Sequence, residues 1–227
     1  MALKNWVRLP SSWIDRGGLK HLRWEAGGRG SDNIAALMAL ATIAHSADER
    51  SGVTRLSYNE LCATAGLSRA KLSNGLDVLE KIGVVKRAPE GRGSYKLIDY
   101  DPEQGWAKLP ARGMYSGGRI RAFDDFALRR ITELNALKLF FLFVARRDRQ
   151  TNLANISYDK IQQYTEIERH QIKPAISLLA SLSLVYVEHV PSSINENGIA
   201  NAYRIVGVDS YNHMGTSGRS MTDWDLE

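Results

Sequence analysis

Apolar side chains at Leu37, Leu40, Ala41 and Ala44 recur at the i, i+3, i+4, i+7 spacing that lines one face of a helix. Asp32 or Asn33 can cap its start, and the polar run Asp48-Glu49-Arg50-Ser51-Gly52 ends it. Val53-Thr54-Arg55-Leu56 is short, β-branched and alternating, which predicts a strand. Ser57 and Glu60 have capping-box spacing and predict a short helix from Tyr58 to about Ala65. Gly66 suits the left-handed position that closes this helix, and Ser68 can cap the next. Leu72, Leu76, Leu79 and Ile82 give that next helix a single apolar stripe. Gly83–Arg87 and Tyr95–Ile98, around the loop Ala88–Gly93, predict a hairpin.

The same pattern returns 100 residues later without a gap. Trp6-Val7-Arg8-Leu9-Pro10 matches Trp106-Ala107-Lys108-Leu109-Pro110, Ala36-Leu37 matches Ala136-Leu137, and Ser57-Tyr58 matches Ser157-Tyr158. There are 14 identical pairs over the 80 positions from Trp6 to Val85, where unrelated segments would share roughly five. The helix face repeats as Leu137, Phe140, Phe141 and Val144, and the hairpin as Val185–Glu188 and Tyr203–Val206 around a longer loop, Pro191 to Ala202. The unit has the length of a small domain rather than a solenoid repeat. The expected architecture is therefore mainly α with small β-hairpins (α+β), in two related domains, 1–100 and 101–211, with a polar, disordered tail at 212–227. Residues 101–118 match 1–18 and belong to the second domain on this reading, packed on it by Trp106 and Leu109.

The order helix, strand, short helix, tight turn, longer helix, hairpin resembles the winged helix-turn-helix family. Leu61 to Val85, LCATAGLSRAKLSNGLDVLEKIGVV, carries the resemblance in the first copy, and Ile161 to Val187 carries it in the second. The resemblance implies two winged helices in tandem that bind double-stranded DNA. At the level of architecture the chain is similar to bacterial transcriptional regulators and to replication initiators of plasmids and other mobile elements.

Charge is consistent with a polyanionic partner. The net charge is +5 and the pI about 9.3. The excess lies in residues 1–100, with 15 Lys/Arg against 10 Asp/Glu, while residues 101–227 balance at 15 and 15. In the first copy the helix from Ser68 would present Ser73, Asn74, Asp77 and Lys81 opposite its apolar stripe, with Arg69 and Lys71 flanking its N-terminal end. Arg can read guanine and Asn can read adenine by paired hydrogen bonds. Lys86, Arg87 and Arg92 of the hairpin can meet phosphates or enter the minor groove. The second copy offers Arg169, His170, Gln171 and Lys173, but places Glu166 and Glu168 at the start of the same helix and Pro174 in its second turn. Copy one is expected to be the stronger base reader. A further basic cluster, Arg119, Arg121, Arg129, Arg130, Lys138, Arg146, Arg147 and Arg149, lies upstream of the second helix pair.

Other chemistries find little support. The five histidines are scattered without metal spacing. Cys62 is the single cysteine, which excludes an intramolecular disulfide. It is expected on the buried side of its helix. Gly27-Gly28-Arg29-Gly30 lacks the ending of a phosphate-binding loop. The apolar run Leu139–Ala145 is far short of a membrane span. The expectations are no enzyme activity, no cofactor, a cytoplasmic, nucleoid-associated location, and a homodimer or a monomer acting alone. The reading from a different class is a tandem winged-helix subunit of a chromosome-organising complex that binds protein.

Overall fold

The computed structural model describes residues 4–25, 29–191 and 199–208. The chain opens with strand β1 (Trp6–Pro10), the single turn α1 (Ser12–Asp15) and a 3-10 turn at Gly18–His21. Then come α2 (Arg29–His45), β2 (Val53–Arg55), α3 (Tyr58–Ala65), α4 (Arg69–Lys81), β3 (Val85–Arg87) and β4 (Ser94–Leu97). The second half follows with β5 (Trp106–Pro110), β6 (Tyr115–Ser116), β7 (Arg119–Ile120), α5 (Ile131–Arg146), β8 (Leu153–Asn155), α6 (Tyr158–Thr165), α7 (Arg169–Ser181), β9 (Val185–Pro191) and β10 (Ile199–Ile205). Helices and small antiparallel sheets are mixed, an α+β arrangement.

Local chemistry accounts for the boundaries. Ser57 Oγ accepts from the Glu60 amide at 3.2 Å while the Glu60 carboxylate accepts from the Ser57 amide at 2.7 Å, so α3 starts with both orphan donors satisfied. Ser68 Oγ accepts from the Lys71 amide at 3.3 Å and starts α4. Asp48 closes the turn after α2 by accepting from the Ser51 amide and hydroxyl, and Asp148 does the same with Thr151 after α5. These hydrogen bonds hold both aspartates below the usual carboxylate range. The turn conformations match even where the residues do not. Gly66 (φ 68°) is matched by Glu166 (φ 57°), and Gly52 (φ 67°) by Asn152 (φ 60°). Glutamate and asparagine thus adopt a left-handed conformation that glycine takes without strain.

Each half carries a three-stranded sheet. The strand expected at 53–56 adds to the hairpin as a third strand: β2 pairs with β4, and β8 with β10, giving orders β2-β4-β3 and β8-β10-β9. Pro174 leaves α7 continuous from Arg169 to Ser181.

The two halves are interlocked. β1 and β5 pair antiparallel with Trp6 opposite Pro110, Arg8 opposite Lys108 and Pro10 opposite Trp106. Each residue therefore faces the counterpart of a partner, and an approximate twofold axis passes between Arg8 and Lys108. Trp6 and Trp106 stack across it at 5.7 Å, with Arg8 over Trp106 and Lys108 over Trp6. β1 packs on α2 and β5 on α5, with Leu9 and Leu109 fully buried. The segments that follow them cross over. Trp13 meets Phe141 edge to face, Arg146 pairs with Asp15, and the 3-10 turn at Gly18–His21 packs on α6. In return Tyr115 and β7 pack on α2 and α3. One continuous core, running through α2, α5 and both sheets, takes the place of two separate ones.

Gly27, Gly28, much of the Pro191–Ala202 loop and the tail from Asn212 lie outside the described residues.

Candidate nucleic-acid interface

Both longer helices are held by the same means. On α4, Leu72, Gly75, Leu76 and Leu79 are buried against α2, and on α7, Ile172, Ala175, Ile176 and Leu179 are buried against α5. Lys71 ties α4 to the start of α2 through Asp32 (2.8 Å) and Ser31, and Asn74 reaches the same Asp32 oxygen at 3.2 Å. Gln171 occupies the matching place on α7, where its side-chain oxygen accepts from Asn135 of α5 at 3.0 Å. Arg69 lies over the Tyr58 ring and donates to Asn59, and Arg169 lies over Tyr158 and donates to Asp159 at 2.6 Å. Both arginines are directed back along the preceding helix.

The outward faces differ in charge. α4 exposes Arg69, Ala70, Asn74, Asp77, Glu80 and Lys81, with Ser73 half-buried. Asp77 and Glu80 engage Arg87 of the hairpin at 2.7 and 2.6 Å, and the Arg87 amide donates to Glu80 as well. These bonds lower the Glu80 pKa and raise that of Arg87. A shallow groove alongside carries Glu25, Asp32 and Asp77 with His21 and Lys81. α7 exposes Arg169, His170, Lys173, Pro174, Ser177 and Ser181, and no carboxylate. Glu168, just before it, pairs with His170 at 3.3 Å. Glu166 pairs with Arg23 of the crossed-over segment at 2.7 Å. On the first hairpin Lys86 and Arg92 are exposed and make no ion pair among the described residues, in contrast to Arg87.

The basic cluster upstream of α6 and α7 does not form one patch. Arg119 lies against the α3–α4 turn of the first half, close enough that a Cβ on Gly66 would sit 2.8 Å from its Nη2. Arg129 lines a groove with Ser31, Gly66, Ser68 and Lys71. Lys138 is buried, donating to the Leu22 carbonyl at 3.0 Å, and burial pulls its pKa down to about 8. Arg146 pairs with Asp15, while Arg147 and Arg149 sit beside Trp106 and Lys108 at the far end of α5.

Two buried polar groups mark the seam between the halves. His45 Nε2 meets the Pro110 carbonyl at 2.8 Å and Nδ1 meets the Tyr115 hydroxyl at 3.1 Å. The carbonyl can only accept, so Nε2 carries the proton and Tyr115 donates to Nδ1. Burial lowers the His45 pKa to about 4. Cys62 is half-buried against the core, and burial raises its thiol pKa.

Among the described residues there is no cluster of three or more metal-ligating side chains, and no helix is long and apolar enough to cross a membrane. No protein-family model matches the sequence, and no curated protein matches it significantly.

Proposed function

We propose that this protein binds double-stranded DNA through two winged-helix units in tandem, as a transcriptional regulator or a replication initiator. The observation that carries this reading is the outward face of α7. It follows a tight turn, is 13 residues long, and exposes His170, Lys173 and Ser177 with no carboxylate of its own, although Arg169 is held by Asp159 and His170 by Glu168 just before the helix. A helix of that kind can enter the major groove while the adjoining hairpin meets the backbone. In this reading α7 is the stronger base reader. α4 is the weaker one, because Asp77 and Glu80 face outward and hold Arg87. The proposal thus departs from the expectation that copy one reads more strongly.

A second reading is supported by the groove beside α4, where Glu25, Asp32 and Asp77 stand with His21 and Lys81; this mixed-charge surface suits a protein partner better than a run of phosphates. The two readings separate in one experiment, a selection of bound fragments from a random duplex library at physiological salt. Enrichment of a defined site supports sequence-specific binding. Lys173→Ala and His170→Ala should then relax base preference at particular positions, each by about 1–3 kcal/mol of discrimination at most. Recovery of no sequence above background would overturn DNA reading and direct attention to protein partners. A single or inverted site upstream of a gene would favour a regulator, and several direct repeats beside an A/T-rich stretch an initiator.

A further inference from the structure

We infer that the DNA-backbone contact beside α4 is shared between the halves: Arg119 and Arg129 of the second half hold phosphates next to the first helix pair. This rests on the DNA-binding reading above and adds to it a site that neither half forms alone. The chain crosses over after β5, so the segment from β6 to the start of α5 covers the α3–α4 turn. Arg119 comes to lie on Gly66, and Arg129 enters the groove that also holds Ser68 and Lys71.

The charge arrangement is one-sided, although the backbone is nearly twofold. At the matching place on the second half, Glu166 stands where Gly66 does, and its carboxylate neutralises Arg23. Beside α4 the turn residue brings no carboxylate. Arg119 pairs there with Asp124 of its own segment at 3.0 Å, with both side chains about half exposed. An exposed pair of this kind is weak and exchanges readily for a phosphate. Arg129 is exposed, and its side chain has no partner among the described residues. Lys71 is engaged by Asp32, which leaves the two arginines from the other half as the cations at the α3–α4 turn best able to take phosphate. Half one thus serves to hold the backbone while α7 reads bases.

The test is binding of the full chain to a random-sequence duplex over a series of salt concentrations. Comparison is with Arg119→Ala/Arg129→Ala and with Arg129→Ala alone. Two phosphate contacts contribute about 2 to the slope of log affinity on log salt. The double variant is expected to bind at least tenfold more weakly at low salt, with a slope shallower by about 2, and Arg129→Ala with a slope shallower by about 1. Arg119→Lys/Arg129→Lys, which keeps the charge, should retain the wild-type slope. If the wild type binds and Arg129→Ala matches it in affinity and slope, the shared site is wrong while DNA binding stands. If the wild type binds no duplex at all, the DNA reading itself fails and this site fails with it. Should the double variant fold poorly, Arg129→Ala decides the matter, because that exposed side chain supports no described contact.

Discussion

At the residue scale, the buried polar groups between the halves make stability depend on pH. His45 has its pKa lowered to about 4 in the fold, from 6.5. Between these values the unfolded chain binds the proton and the folded one does not, so stability is complete above pH 6.5 and falls as pH drops toward 4. From pH 7 to pH 5 the wild type should lose about 2 kcal/mol through this group. His45→Gln, able to keep both hydrogen bonds, should lose correspondingly less, as followed by urea unfolding at the two pH values. Lys138 acts at the other end of the scale. Its folded pKa of about 8 lies below the ordinary 10.5, so unfolding free energy should rise by about 2 kcal/mol between pH 7.5 and 9.5. Lys138→Met should flatten that rise and melt higher at pH 7. An unchanged pH profile in either variant would show that the group does not titrate as its burial requires.

Among the elements, the longer helices depend on close approach to the helices beneath them. A Cβ on Gly75 would lie 2.8 Å from the backbone of Ala35 and Ala36. Gly75→Val is therefore expected to destabilise the chain by about 3 kcal/mol through overpacking, read as a lower denaturant midpoint. The intrinsic helical gain of losing glycine does not offset a backbone clash. The hairpin gives an opposite case. Arg87 is held by Asp77 and Glu80 on the exposed side of α4, so Asp77→Asn/Glu80→Gln removes two carboxylates and frees a cation. Affinity for random duplex DNA should rise several-fold, with a steeper salt dependence. No change would place α4 away from the DNA.

For the whole molecule, the crossed-over segments and the β1–β5 ribbon imply that the halves stabilise one another. Residues 1–100 alone would lose the ribbon partner, the Tyr115 bond to His45 and the cover over α3. That fragment is expected to show no cooperative thermal transition. The twofold relation has a consequence for the target as well. On the DNA-binding reading proposed above, two helix pairs related in this way would meet DNA in opposite senses, as the subunits of a symmetric dimer do. One chain should therefore protect two half-sites of inverted orientation, detectable by footprinting at a 1:1 ratio of protein to duplex. Half-sites in the same orientation would contradict it.

Periodicity and capping residues were enough to place the helices from Tyr58 to Lys81 and their counterparts near Tyr158 to Ser181, because those signals act within a few residues. The 100-residue repeat likewise made the common order of elements legible, since matched apolar positions bury matched faces. Most candidate residues on the two longer helices were legible as surface positions for the same reason, but Lys71, Ser73 and Gln171 are half-buried, Lys71 and Gln171 against the helices beneath. The availability of the candidates was not legible. Whether Arg87 is free or held by Asp77 and Glu80 depends on how a hairpin closes against a helix, and whether Lys138 is a surface cation or a buried one depends on packing between halves. Nor could local pattern assign Arg119 and Arg129 to the first half. Nothing in the spacing of residues along one segment records which of two similar surfaces it covers. That choice follows from the pairing of β1 with β5 and from the crossing of the chain after each strand, which only the folded arrangement of both halves brings about.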